Sequence, residues 1–184
     1  KHVLTTKILH FLYDNLSEQE IERFNRIFDV RTNNNLDRQA RGMMFPFSLV
    51  FIHEFHNGLR GIEWFYKEQA NNLDREQQDL AKSWKDLNFQ LVQVTKKENE
   101  KQYTMRDVLT KERYTLPIVE TNVPNHLSVG EGTVALLEPL NGKYYFNGVR
   151  VFKDHNYVLR VKARIKKIMK EENLSYEEVM RKYT

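Results

Sequence analysis

Cysteine is absent from the 184 residues, which removes thiol nucleophiles, disulfides and every zinc site built on thiolates. A chain without thiols fits a reducing compartment, and the cytoplasm is the expected location. Proline is scarce at four residues and glycine nearly so at seven, which excludes collagen-like repeats and Pro/Gly-rich disordered tracts. No apolar run reaches the roughly 18 residues needed to cross a bilayer. The most apolar stretch, residues 43–55, carries His53 and Glu54, so it reads as a buried helix and no membrane partner is expected. Catalytic motifs are missing too. Ser48, Ser83, Ser128 and Ser175 lie in no Gly-x-Ser-x-Gly elbow, and Gly130-Glu131-Gly132 places a carboxylate where a bound anion would sit. A non-enzymatic protein with no cofactor is the expectation. The chain begins at Lys1, which reads as a processed end or an excised piece of a longer protein.

What is present begins with a change of period. Residues 89–94, 103–109, 113–119, 133–137 and 143–152 are short, rich in β-branched and aromatic side chains, and separated by turn residues. The polar residues 96–101 read as the first connection, residues 121–132 as a crossover, and Asn141-Gly142 as a tight hairpin. Five short strands in about 65 residues suit a small closed barrel, SH3-like on length or else OB-like.

Helical spacing governs the rest. Val3, Leu4, Ile8, Phe11, Leu12 and Leu16 form one stripe. Ser17 to Glu20 has capping-box spacing, opening a second helix whose Ile21, Phe24, Ile27 and Phe28 would pack on the first as an antiparallel hairpin. Residues 29–37, with Asn33 to Asn35, read as a loop. Phe47, Val50, Phe51 and Phe55 share a helical face with a break expected at Pro46 and an end at Asn57-Gly58. Ile62, Phe65 and Tyr66 mark a further helix, and Asp74 is an N-cap for a helix carrying Leu80, Ala81 and Trp84. After Tyr157 the helical period returns, and Ser175 to Glu178 repeats the capping box. The expected fold is therefore α+β: a helical part at 1–88, a small five-stranded barrel at 89–153, and C-terminal helices at 154–184.

The order of these parts resembles an accessory module of bacterial proteins carrying the SEC-C zinc motif, first noted at the end of the SecA translocation ATPase. The resemblance rests on residues 45–55, Gly61 to Tyr66, the helix ending at Trp84, residues 89–94, Met105 to Leu109 and the turn 129–133, and it covers residues 45–152. It implies no enzymatic activity. The motif's Cys ligands have no counterpart here, so it implies no metal either.

Two constellations carry chemistry. His53 and His56, with Glu54 between them, are weak metal candidates, because zinc hydrolases space their helical histidines four apart and not three. The bland reading is a helix terminus with one packed and one exposed imidazole. The stronger feature is the amphipathic helix after Tyr157, where Arg160, Lys162, Arg164, Lys166, Lys167 and Lys170 lie opposite Val158, Val161, Ile165, Ile168 and Met169. Arg160, Arg164, Lys166, Lys167 and Lys170 are the expected phosphate contacts, with Tyr144 and Tyr145 as stacking surfaces. The expected partner is nucleic acid or the ribosome. The alternatives are a protein partner, with the chain acting as an adaptor, and, less favoured, a metal-dependent enzyme.

Overall fold

The computed structural model describes residues 2–32, 38–99, 102–117, 127–148 and 151–184, and for Gln39 the backbone alone. The described residues form seven α-helices and a five-stranded antiparallel sheet, an α+β fold. No described helix is long and apolar enough to cross a membrane. The chain divides into two compact units, Lys1–Asp86 and Leu87–Thr184.

The first unit contains α1 (His2–Asn15), α2 (Glu18–Thr32), α3 (Arg38–Phe51), α4 (Gly61–Gln69) and α5 (Arg75–Lys85). The Ser17 hydroxyl accepts from the Glu20 amide at 3.2 Å, so the α2 cap forms where the spacing put it. The expected α1–α2 hairpin gives way to a different pairing. Phe24 and Phe28 of α2 meet Phe45 of α3 at 4.8 and 5.2 Å between ring centres, while Phe11 of α1 meets Trp64 and Phe65 of α4 at 5.4 and 5.6 Å. Large edge-to-face ring contacts decided the partner, and periodicity cannot rank those. Helix α2 also continues through Asp29–Thr32, expected as loop; residues 33–37 lie outside the described residues. Helix α3 runs through Pro46 without the expected break. The carbonyl that proline leaves without a helical donor belongs to Gly42, an exposed residue. The helix then ends at Phe51, six residues before Asn57, and the 53–60 segment closes with a Glu54–Arg60 bridge. Gly61 is required at the start of α4: a Cβ there would lie 2.6 Å from the Leu49 carbonyl and 2.8 Å from Leu12 Cδ1.

The second unit is built on β1 (Phe89–Asn99), β2 (Gln102–Asp107), β3 (Arg113–Pro117), β4 (Gly132–Leu140) and β5 (Lys143–Asn147), followed by α6 (His155–Glu172) and α7 (Tyr176–Tyr183). The sheet order is β3-β2-β1-β4-β5. The sheet does not close into the expected SH3-like or OB-like barrel: among the described residues no hydrogen-bonded ladder joins β3 to β5. Both strands span five residues, and β3 ends on Pro117, which has no N–H to donate. They meet through side chains, with Tyr114 and Tyr144 edge to face at 4.8 Å. Residues 96–99, expected as connection, are strand. β1 keeps pairing with β2 to Asn99 opposite Gln102, with irregularities after Val94 and Lys97, and Glu98 accepts from Lys96 and Thr104. The expected strand ends at 118–119 and 149–150 and the first half of the crossover, 121–126, lie outside the described residues.

One sheet face encloses Val92, Val94, Tyr103, Met105, Tyr114, Leu116, Ala135, Leu137 and Phe146. The alternate residues Leu91, Gln93, Val134 and Leu136 point the other way, and α6 and α7 pack on β1 from that side. Gly132 permits the approach, since a Cβ there would sit 2.8 Å from Val158 Cγ2 and 2.5 Å from the Val92 carbonyl.

Candidate nucleic-acid interface

Helix α6 starts because Asp154, extended at ψ 166, accepts from the Tyr157 amide at 2.8 Å, and stops because Asn173 turns left-handed at φ 52. Val158 and Ile165 are buried against the sheet, and Val161, Ile168 and Met169 are half-buried. At 100° per residue the remaining arc carries the cations. Arg160, Arg164, Lys166, Lys167 and Lys170 are all exposed. Arg160 stacks over the Tyr157 ring at 5.8 Å, and Lys167 lies 3.7 Å from Glu171. Among the described residues no carboxylate pairs with Arg164, Lys166 or Lys170.

The cations do not form one stripe. Lys162 and Lys166, one turn apart, flank the buried seam on the side of β2, whereas Arg164 lies across the helix. There Arg164 joins Tyr157, Val161, Ile168, Met180 and Tyr183 around an apolar cleft of about 320 Å³. On the β2 side the sheet adds cations of its own. Gln93, Arg106 and Arg113 are successive cross-strand neighbours on the helix-covered face, and Gln93 Nε2 contacts Nδ1 of His155, the first residue of α6, at 2.8 Å. At the β2–β3 turn Lys111 folds its ammonium onto the Val108 carbonyl at 2.7 Å. Desolvation there, and after it the charges of Lys162, Arg106 and Lys166, lower the Lys111 pKa against the opposing pull of Asp107. Arg106, Lys111, Lys162 and Lys166 therefore share one electrostatic neighbourhood. Arg106, Lys111 and Arg113 were missed from the sequence. Their signal was the strand alternation: once Met105 and Tyr114 face inward, Arg106 and Arg113 must face the helix side.

The Lys111 turn is anchored from behind. Asp107, with no exposed surface, accepts from the Leu109 and Thr110 amides through Oδ1, both at 2.7 Å, and from the Tyr176 hydroxyl through Oδ2 at 2.8 Å. That hydroxyl accepts in turn from the Leu91 amide at 2.7 Å. β2 ends at Asp107, so the Leu91 N–H has no strand partner on that side, and a tyrosine from α7 supplies the acceptor. Burial raises the Tyr176 pKa well above the ordinary tyrosine range.

Tyr144 and Tyr145 point to opposite faces. Tyr144 packs against the sheet interior beside Tyr114, and Tyr145 stands opposite Glu138 on the other face, so the two cannot form one stacking platform. His53 is buried between Phe24 and Phe55 at 5.0 and 4.8 Å, and burial lowers its pKa despite the nearby Glu20 charge. His56 is exposed and meets Glu20 Oε2 at 2.9 Å. Among the described residues no three His, Asp or Glu side chains converge to hold a metal.

Compared with protein-family models, with curated proteins and with solved structures, the chain matches none of them.

Proposed function

We propose that the unit Leu87–Thr184 is a non-enzymatic binding module that meets the phosphates of nucleic acid, free or within a ribosome, through α6 and the adjoining β2–β3 turn. One observation carries the reading: Arg160, Arg164, Lys166, Lys167 and Lys170 are exposed, and four of the five, all but Lys167, have no carboxylate partner among the described residues. The fold type supports it. Three hairpin-linked strands with β4 returning beside β1 make a Greek key, and a five-stranded, partly open Greek-key body is the OB pattern, used widely for oligonucleotides. OB-like is therefore the better finer description than SH3-like. Kinship with the SEC-C accessory module over residues 45–152, and with it a bacterial source, belong to the same proposal, supported by the order of aromatic helices, Trp84 helix and five strands; a cytoplasmic setting belongs to it too, supported by the lack of cysteine.

Binding of a fluorescent duplex RNA at increasing salt tests the reading. With four or five phosphates neutralised, log K should fall against log salt with a slope of about −4. Arg160→Glu with Arg164→Glu, and separately Lys162→Glu with Lys166→Glu, should each flatten that slope and weaken binding. A slope near zero in the wild type would sink the reading. It would favour a protein adaptor that uses the apolar cleft lined by Val161, Ile168 and Met180, because an apolar interface responds little to salt.

A further inference from the structure

The cleft of about 320 Å³ that α6 and α7 enclose with Val134 of β4 reaches down to buried Ile165, Val179 and Met180. Tyr157 and Tyr183, 41% and 46% exposed, line it nearer the solvent. Arg164 is the one charged side chain among the lining residues. The carboxylates of the surrounding elements are engaged elsewhere or lie apart from the cleft. Glu172 accepts from Lys182 at 2.7 Å and from the Tyr183 hydroxyl, Glu171 lies 3.7 Å from Lys167, and Glu178 accepts from the Ser175 amide at 2.7 Å. Glu138, on the same sheet face as Val134, is buried and does not line the cleft. The walls are also held in place. Glu172 fixes the Tyr183 hydroxyl, Arg160 stacks over the Tyr157 ring at 5.8 Å, and α7 is pinned through Tyr176 to Leu91 and Asp107. A site already formed loses little by ordering when a ligand enters.

Size separates the classes of occupant. A stable protein interface buries about 800 Å² on each partner and would have to spread well beyond the cleft, whereas small-molecule sites begin at about 300 Å³. Chemistry then selects the ligand. Tyrosine rings and branched aliphatic side chains favour a flat apolar body. A guanidinium without a carboxylate partner favours one planar anionic head, because its fork matches a carboxylate with two parallel hydrogen bonds. We propose that the cleft binds a small aromatic monocarboxylate, its ring on the apolar floor beside Tyr157 and Tyr183 and its carboxylate on Arg164. The site does not rest on the phosphate reading, with which it shares Arg164.

The test is calorimetric titration of the full chain, with no tag after Thr184, which also lines the cleft. The probes share one ring system and differ in charge: naphthoate, neutral naphthylmethanol and cationic naphthylmethylamine. Naphthoate should bind about tenfold more tightly than the alcohol, the scale of one charge-assisted hydrogen-bonded contact, and the amine more weakly than either. Arg164→Gln, a change at an exposed position, should bring naphthoate down to the affinity of the alcohol and leave the alcohol unchanged. Val161→Phe, which fills the cleft, should abolish binding of all three. Lys170→Gln removes a cation of the same helix that does not line the cleft and should preserve the tenfold preference. No binding of naphthoate overturns the site. So does equal affinity for naphthoate and the alcohol, or a preference that survives Arg164→Gln. Loss of the preference in Lys170→Gln to the same extent as in Arg164→Gln also overturns it, since attraction to the helix as a whole then accounts for the effect.

Discussion

Replacing Tyr176 with phenylalanine isolates the bond that joins α7 to the sheet. The ring stays and packs as before; only the hydroxyl goes. Two buried groups then lose a partner, the Leu91 N–H and Asp107 Oδ2. Leu91 and Asp107 are 1% and 0% exposed, so water cannot readily replace the hydroxyl. A buried polar group left unsatisfied costs about 1–3 kcal/mol, and more when charged, so Tyr176→Phe should destabilise this unit by about 2–5 kcal/mol. In a unit of this size a loss of 1 kcal/mol lowers Tm by about 4–8 °C, which makes the expected fall at least about 8 °C. Both tryptophans, Trp64 and Trp84, lie in the other unit, so tryptophan fluorescence is the wrong probe. Amide hydrogen exchange is the right one, because the Leu91 amide itself should lose protection. Tyr183→Phe, which removes an exposed hydroxyl bonded to Glu172, is the matched control and should cost under about 0.5 kcal/mol. Unchanged Leu91 protection, or equal losses in the two variants, would refute the reasoning.

Alkaline pH tests the same region by linkage. Tyr176 and Tyr114 have raised pKa values, in each case chiefly through burial, so the unfolded chain releases their protons first. Their contribution is intact below about pH 10 and falls above it by about 1.4 kcal/mol per pH unit for each phenol; urea midpoints from pH 9 to 11 should show this, with a shallower slope in Tyr176→Phe. His53 acts in the opposite pH range. Its lowered pKa means that the unfolded chain takes up a proton first as pH falls below about 6.5, so the helical unit should lose up to about 1.4 kcal/mol per pH unit there. Trp fluorescence during urea unfolding at pH 5 to 7 reads that loss, which His53→Phe should largely remove. Gly61→Ala should destabilise the helical unit by about 1–3 kcal/mol in thermal melts, because overpacking against the Leu49 carbonyl outweighs the helix propensity gained.

Local signals were legible in the sequence wherever a short-range bond sets the structure. Asp74, Ser17 and Ser175 cap the helices that their spacing announced, because a side chain reaching an amide three residues on needs nothing from the rest of the fold. Asn141-Gly142 closes its hairpin with both residues left-handed for the same reason. Features decided at long range were not legible. The α2 stripe is apolar whichever neighbour it meets, and the ring of Phe45 settled the choice. Pro46 reads as a breaker until the exposure of Gly42 is known. The polar residues 96–99 read as loop because their strand is held by pairing with β2 and not by burial. The basic helix was found as a helix, but its division into two flanks depends on which side meets β2. The cations that β2 and β3 add could be seen only after their register was fixed.

The Leu91–Tyr176 bond links positions 85 residues apart. During synthesis the five strands emerge well before α7, so one edge of β1 waits, with its amide open, until α7 is made. Contacts of such separation form slowly, since a long loop must close before they can reward it. Nascent chains stalled just short of Tyr176 would thus display an unfinished strand edge, which a chaperone, or another copy of the same chain, is free to engage.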